Sequence, residues 1–399
     1  MITNRQLFLQ HVATTSDFPI ALEIERAEGI YMYDPSGKPY LDLVSGVSVS
    51  NLGHGHPKVK QAIKDQVDKY MHLMVYGEFI ETPQVQLAKL LSDNLPESLN
   101  SVYFVNSGSE ANEGSLKLAK RYTGRSEIIH FTGAYHGSTH GALSILCDEE
   151  MKNSFRPLLP DVRMIEFGKE ADLEQITEKT ACVILEPIQS EGGMIIPSKE
   201  YIQALRARCT EKGALLIFDE VQMGFGRTGK LFAFEHFDVV PDILCLAKAM
   251  GGGMPVGAFI SDKKILDSFK TNPMLGHITT FGGHPVCCAA AKASLEVLLE
   301  ENIVDDVQRK GELFVELLKD HPLVKGFRHL GLFVAVVVES KEIMLEIMKE
   351  AHELGVIMDA FLFCDNAYRI APPLNITDEE IRHASNLLIQ AMDKVKKQA

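Results

Sequence analysis

The sequence predicts an α/β protein: a large domain around a mostly parallel sheet, with a smaller α+β domain beside it. Three observations carry this. Short runs that are apolar on both faces recur through the middle of the chain, as buried parallel strands require. The intervals between them are long enough for helical crossovers. Residues 289–399 instead mix helical periodicity with isolated short strand-like runs.

Taken in order, the first element is hairpin-like turn chemistry at Asp34-Pro35-Ser36-Gly37. Ser101–Val105 then reads as a strand. A helix follows from about Ser109 to Tyr122, with Ala111, Leu118 and Tyr122 at helical spacing. Ile128–Phe131, Ala181–Leu185, Ala214–Phe218 and Ile243–Leu246 read as further buried strands. The C-terminal part predicts a helix at Ala289–Leu299, a strand at Gly331–Val338 and a helix at Ile343–Glu353. A short strand at Tyr368–Ile370 and a final helix at Asp378–Lys397 complete it. The expected division is 1–55 as a segment packing with the small domain, 56–288 as the large domain and 289–399 as the small one.

A chain of 399 residues suits one large domain and a smaller lobe. Its net charge of −14 repels phosphate backbones, so nucleic acid is not an expected partner. A locally positive pocket for an anionic ligand remains compatible with that surface. The seven cysteines are odd in number and form no Cys-x-x-Cys pair. They read as small buried hydrophobes rather than disulfides or a zinc site. The start of the chain lacks a signal-peptide layout, and no run reaches the roughly 20 apolar residues of a membrane helix. A cytoplasmic protein without membrane contact is expected.

The polar clusters sit just after predicted strands, where open parallel sheets bind ligands. Asn106-Ser107-Gly108-Ser109-Glu110 opens a helix. Ser107 and Glu110 have capping-box spacing. A helix start with a glycine and serines also suits a phosphate, although ordinary caps look the same. Asp219 closes a buried apolar strand and needs a partner. It either caps a turn or faces a cation such as a protonated pyridine nitrogen. Lys248 ends another apolar strand and meets Gly251-Gly252-Gly253. A buried amine of lowered pKa is the usual route to a Schiff base. The alternative is a lysine reaching out to solvent. The glycines favour backbone lying close to a ligand. Gly224-Phe225-Gly226-Arg227-Thr228-Gly229 matches a dinucleotide fingerprint, but it does not run from strand directly into helix, so the match is read as chance.

Together these segments resemble the class III (ω-amino acid) aminotransferases of pyridoxal-phosphate (PLP) fold type I, over about Tyr31 to Thr377. Tyr135-His136-Gly137, Glu186 through Gly193, Gly226 through Gly229, His277 through Gly283 and Arg369 through Leu374 strengthen the match. The subgroup most similar contains acetylornithine, ornithine and 4-aminobutyrate aminotransferases. The resemblance implies a sheet of the seven-stranded type. It also implies that Lys248 binds PLP as a Schiff base and later moves the proton, with Asp219 on the ring nitrogen. Gly108 and Ser109 would hold the phosphate. Tyr135 and Val221 would pack on the ring, and Gln222 would approach its phenolic oxygen. Thr280 would reach the neighbouring subunit's cofactor, which makes a homodimer the expected unit. Arg369 would grip the substrate α-carboxylate, with Glu191 as a gate that neutralises it while an ω-amine binds. Val47 would line the substrate pocket, and His136 would be a nearby support. The implied reaction is ping-pong transfer of a terminal amine from an ornithine-, acetylornithine- or 4-aminobutyrate-like donor to an oxo acid such as 2-oxoglutarate. An aminomutase, racemase or decarboxylase on the same scaffold is the alternative. One departure matters: Ser138 stands where many relatives carry an arginine that grips a distal carboxylate.

Overall fold

A computed structural model describes residues 2–398. Strands β1 (Arg26–Glu28), β2 (Tyr31–Tyr33) and β3 (Pro39–Asp42) form an antiparallel meander. The turn between β2 and β3 is the one predicted. Asp34 Oδ1 accepts the Ser36 N–H at 2.9 Å and the Lys38 N–H at 3.0 Å.

The middle of the chain supplies β4 (Ser101–Val105), β5 (Glu127–Phe131), β6 (Val162–Ile165), β7 (Thr180–Leu185), β8 (Leu215–Asp219), β9 (Ile243–Leu246) and β10 (Gly257–Ser261). They form a seven-stranded sheet in the order β4-β10-β9-β8-β7-β5-β6. The pairings from β9 through β6 are parallel. β10 runs against both of its neighbours.

The strand period of two sorts the apolar side chains into two layers. Val183, Leu185, Leu216, Phe218, Leu244 and Leu246 belong to the larger core. Their sequence neighbours Cys182, Ile184, Leu215, Ile217, Ile243 and Cys245 face a second core on the other side. Helix Gly108–Thr123 covers the second core through Ala111 and Leu118. Helix Lys199–Lys212 covers the first through Ile202 and Leu205. Both faces are therefore dry, which is why these strands read as unbroken apolar runs. Tyr122 shares the helical spacing but is 50% exposed at the end of its helix. Five cysteines are buried and two are half-buried; all are free thiols.

The C-terminal part adds β11 (Gly326–Leu330), β12 (Phe333–Val337), β13 (Val356–Ile357), β14 (Asp359–Ala360) and β15 (Ala367–Ile370). β11-β12-β15-β14 form an antiparallel sheet. β13 pairs in parallel with β3, so the N-terminal meander and the C-terminal part share hydrogen bonds. The predicted strand at Gly331–Val338 begins only at Phe333, because Gly331 turns the chain. Among the described residues no helix is long and apolar enough to cross a membrane.

Candidate active site

β4, β5, β7, β8 and β9 point the same way, so the residues that follow them share one edge of the sheet. A cavity of about 480 Å³ opens there. Its walls come from Asn106–Ser109, Tyr135–Gly137, Glu186, Asp219, Gln222 and Lys248, with others around them. The clustering expected from the sequence is therefore present.

Ser107 caps the helix that follows β4, its Oγ accepting the Glu110 N–H at 3.2 Å. The reciprocal half of the capping box does not form. Glu110 turns back to Asn106 instead, accepting its backbone N–H at 2.7 Å and its Nδ2 at 2.9 Å. Gly108 and Ser109 stand in the first helical turn, where N–H groups lack intrahelical acceptors. A Cβ on Gly108 would lie 2.7 Å from a Val221 methyl. Only glycine lets Val221 approach the helix start this closely.

Asp219 is 4% exposed. Its Oδ1 accepts the Val221 N–H at 3.0 Å, so it does cap its turn. Its Oδ2 accepts from Asn112 Nδ2 at 2.7 Å and lies 2.8 Å from His136 Nδ1. The carboxylate is thereby fixed at the cavity wall, ready to face a cation as well. His136 supports Asp219. Asn112 was not anticipated; its signal was a polar residue on the inward face of the helix, one turn beyond Ser109.

Lys248 sits at φ +50, a left-handed conformation that costs a side-chain-bearing residue roughly 1–2 kcal/mol. Such strain clusters at functional sites. Its Nζ donates to Gln222 Oε1 at 3.0 Å. Burial pushes the amine below the ordinary lysine range, and the Glu191 and Asp219 carboxylates offset part of that. The lysine is half-buried, and its amine turns to Gln222 rather than out to solvent. Of its glycines, Gly253 lines the cavity. Gly252 serves packing instead: a Cβ there would fall 2.8 Å from that of Ser294. Glu186 is buried nearby, accepting Ser190 Oγ–H at 2.7 Å and the Tyr135 N–H at 3.2 Å. Burial pushes its carboxyl up to about 7.

Arg369 and Glu191 lie beyond the cavity wall, close enough for their charges to act on Lys248. Arg369 Nη1 donates to Glu191 Oε1 at 2.8 Å. A second carboxylate, Asp359, takes Nε at 2.8 Å and Nη2 at 2.9 Å. The sequence reading had no place for Asp359. Two other expected residues stand apart. Val47 is 38% exposed on a strained turn, and Val49 lines the cavity in its stead. Thr280 is exposed outside it, although its neighbour Thr279 accepts from Asn106 Nδ2 at 3.0 Å. The Gly224–Gly229 segment forms turns and opens no helix, so the dinucleotide reading is excluded by geometry. Ser138 N–H donates to Ser109 Oγ at 3.3 Å, and its hydroxyl lies 3.1 Å from that of Tyr135.

Residues 12–392 match the model of the family described as aminotransferase class-III. The chain belongs to the class III aminotransferases. An acetylornithine aminotransferase of Methanopyrus kandleri is 40% identical, over 96% of each chain. A putrescine aminotransferase of Pectobacterium atrosepticum is 39% identical, over 98% of this chain and 85% of the relative. The solved ornithine aminotransferase of Toxoplasma gondii superposes with a TM-score of 0.91 at 29% identity, covering 100% of this chain and 96% of that one. Class III aminotransferases use PLP and transfer amino groups, and this chain is an enzyme of that kind.

The cavity residues fit that cofactor chemically. A half-buried lysine of lowered pKa offers a primary amine to an aldehyde. A fixed carboxylate stands ready for a protonated ring nitrogen. Gln222 Nε2 is buried beside Lys248 without a hydrogen-bond partner, a donor matched to an acceptor oxygen. The helix start at Gly108 suits a phosphate.

Proposed function

We propose that this class III aminotransferase moves the terminal amine of a small donor to an oxo acid such as 2-oxoglutarate in two half-reactions, with Lys248 as the cofactor-bearing residue. The observation that carries the proposal is the half-buried Lys248 bonded to the buried Gln222, beside a carboxylate held by Asn112 and His136. When bound, PLP supplies an aldehyde that exchanges amines and a ring that accepts electrons.

The chain's own residues do the rest. Gly108 and Ser109 would hold the phosphate. Asp219 would keep the ring nitrogen protonated, because Asn112 and His136 stop it from turning away. Gln222 would donate to the phenolic oxygen, and Tyr135 and Val221 would pack against the ring. Lys248 would hold the aldehyde and, as a free amine, would take up and return the proton at the reacting carbon. Its lowered pKa favours this, since a neutral amine is the form that accepts a proton. Glu191 neutralises Arg369 while an amine binds and withdraws when the oxo acid's carboxylate needs the fork. A homodimer is the proposed unit. Ile278, at 49% exposure, and Phe281, at 53%, flank Thr280, and such an apolar rim suits a partner subunit.

The test is a half-reaction. The protein loaded with PLP is mixed with a terminal amine and no oxo acid. The visible band should fall, and 2-oxoglutarate should restore it. The Lys248→Ala variant should give no turnover. A product formed with no oxo acid present would favour an aminomutase, racemase or decarboxylase and overturn the proposal.

A further inference from the structure

Asp359 and Arg369 are direct cross-strand partners on β14 and β15. On the far side of Arg369, Ala335 of β12 is its partner. The register therefore sets a carboxylate beside the guanidinium and only a methyl on the other flank. Asp359 grips the Nε/Nη2 edge with two bonds of 2.8 and 2.9 Å. Glu191 holds Nη1 at 2.8 Å. Glu191 is itself anchored, since its other oxygen accepts the Leu362 N–H at 3.1 Å. Arg369 is 3% exposed, and its guanidinium carbon lies 5.1 Å from the centre of the Phe361 ring.

One buried cation thus stands against two carboxylates. A buried arginine needs one carboxylate for balance, and the second leaves the cluster net negative. Among the cavity-lining residues Lys248 is the one lysine, with no arginine beside it. The hydroxyls of Tyr135 and Ser138 are neutral. A substrate carboxylate entering here must displace an anchored Glu191, and it then meets an arginine that Asp359 still neutralises.

We propose that Asp359 is a specificity-determining residue that weakens the hold of Arg369 on substrate carboxylates, so that the preferred donor carries no carboxylate beside its reacting amine and is best of all a diamine. This rests on the aminotransferase reading above. Asp359 acts through Arg369 and is a positioning residue, and its effect belongs in KM rather than kcat.

The experiment compares two four-carbon donors in the half-reaction of the PLP-loaded enzyme: 1,4-diaminobutane, and 2-aminobutyrate, whose carboxylate sits beside the reacting amine where Arg369 would meet it. The wild type should favour the diamine in kcat/KM by about tenfold or more, the scale of one charge-assisted bond. Asp359→Asn should narrow that preference and lower the KM for 2-oxoglutarate by roughly tenfold, with kcat little changed. Asp359→Glu should restore wild-type behaviour. The wild-type comparison needs no variant to fold. A wild type that prefers 2-aminobutyrate would sink this inference alone. So would an Asp359→Asn enzyme with raised KM for 2-oxoglutarate, because Asp359 would then be aiming Arg369 at carboxylates. Failure of every amine to change the cofactor band would overturn the aminotransferase reading along with it.

Discussion

At the scale of single residues, the question is what makes Lys248 reactive at neutral pH. Burial lowers its pKa, the carboxylates of Glu191 and Asp219 raise it, and Arg369 lowers it. These signs can be measured through the pH dependence of PLP capture by the cofactor-free protein. The neutral amine is the reacting form, so capture should rise with pH and reach its midpoint below the ordinary lysine value of 10.5. Glu191→Gln should move the midpoint down, because it removes an anion and leaves Arg369 less neutralised. Arg369→Met should move it up by removing a cation. A midpoint unchanged in both variants would mean that the pair does not act on Lys248. Most of the residues that touch the cavity were legible in the sequence, because each follows a buried apolar run and sits where a polar group has no ordinary reason to be. Asn112 and Asp359 were not. Each is explained only by a partner that folding brings beside it: Asp219 for the first, and Arg369 through the β14–β15 register for the second.

At the scale of elements, legibility followed burial pattern. β7, β8 and β9 are fully buried and wholly or mostly apolar, so they stood out. β6 did not, because it is the edge strand and Arg163 and Met164 face solvent. β10 escaped for the opposite reason. It is fully buried, but Gly257, Ala258 and Ser261 are small and give no strand signal. The turn at Ser45–Ser48 was also invisible. Its four residues have φ of 54, 60, 63 and 61°. Asp42 Oδ1 holds its start, accepting the Val44 and Ser45 N–H groups at 2.8 Å each. Ser45 Oγ–H is tied to Ala371 O at 2.7 Å. A β-branched residue is the least suited to this conformation, and Val47 occupies its centre. Val47→Gly should therefore raise stability by up to about 1 kcal/mol, the left-handed strain relieved less the extra entropy of an unfolded glycine. Urea unfolding would show it as a higher midpoint at unchanged slope. A lower midpoint would mean that the half-exposed Val47 side chain contributes more packing than its strain costs.

At the scale of the whole molecule, one side chain ties the three parts together. Arg227 is completely buried. It arises from the turn after β8, within the motif that mimicked a dinucleotide fingerprint. Its Nη1 donates to Leu332 O at 3.0 Å and Pro372 O at 2.6 Å, both in the C-terminal part, and its Nη2 to Asn51 Oδ1 at 2.5 Å in the N-terminal part. Asn51 Nδ2 returns a bond to Phe225 O at 2.8 Å. Burial pushes the guanidinium down to about 9, so it is still charged at neutral pH, and Asp42 is the carboxylate that offsets the cost. Few residue types could do this work: five donors in a rigid fork reach carbonyls from separate chain segments at once. Arg227 follows Asp219 along the same turn and Pro372 follows Arg369 along the chain, so the bond between Arg227 and Pro372 links the two segments that carry them. Arg227→Met keeps much of the volume but strands three acceptors and removes their donor. It should cost roughly 3 kcal/mol or more, since each buried acceptor left unpaired costs about 1–3 kcal/mol. Asn51→Ala removes two bonds, the one from Arg227 and the one Asn51 donates to Phe225 O, and should cost about two-thirds as much on the same scale. Urea unfolding of the two variants checks the order. Equal losses would show that the Asn51 bond alone carries the junction, and a negligible loss for Arg227→Met would show that the three parts hold together by apolar packing without it.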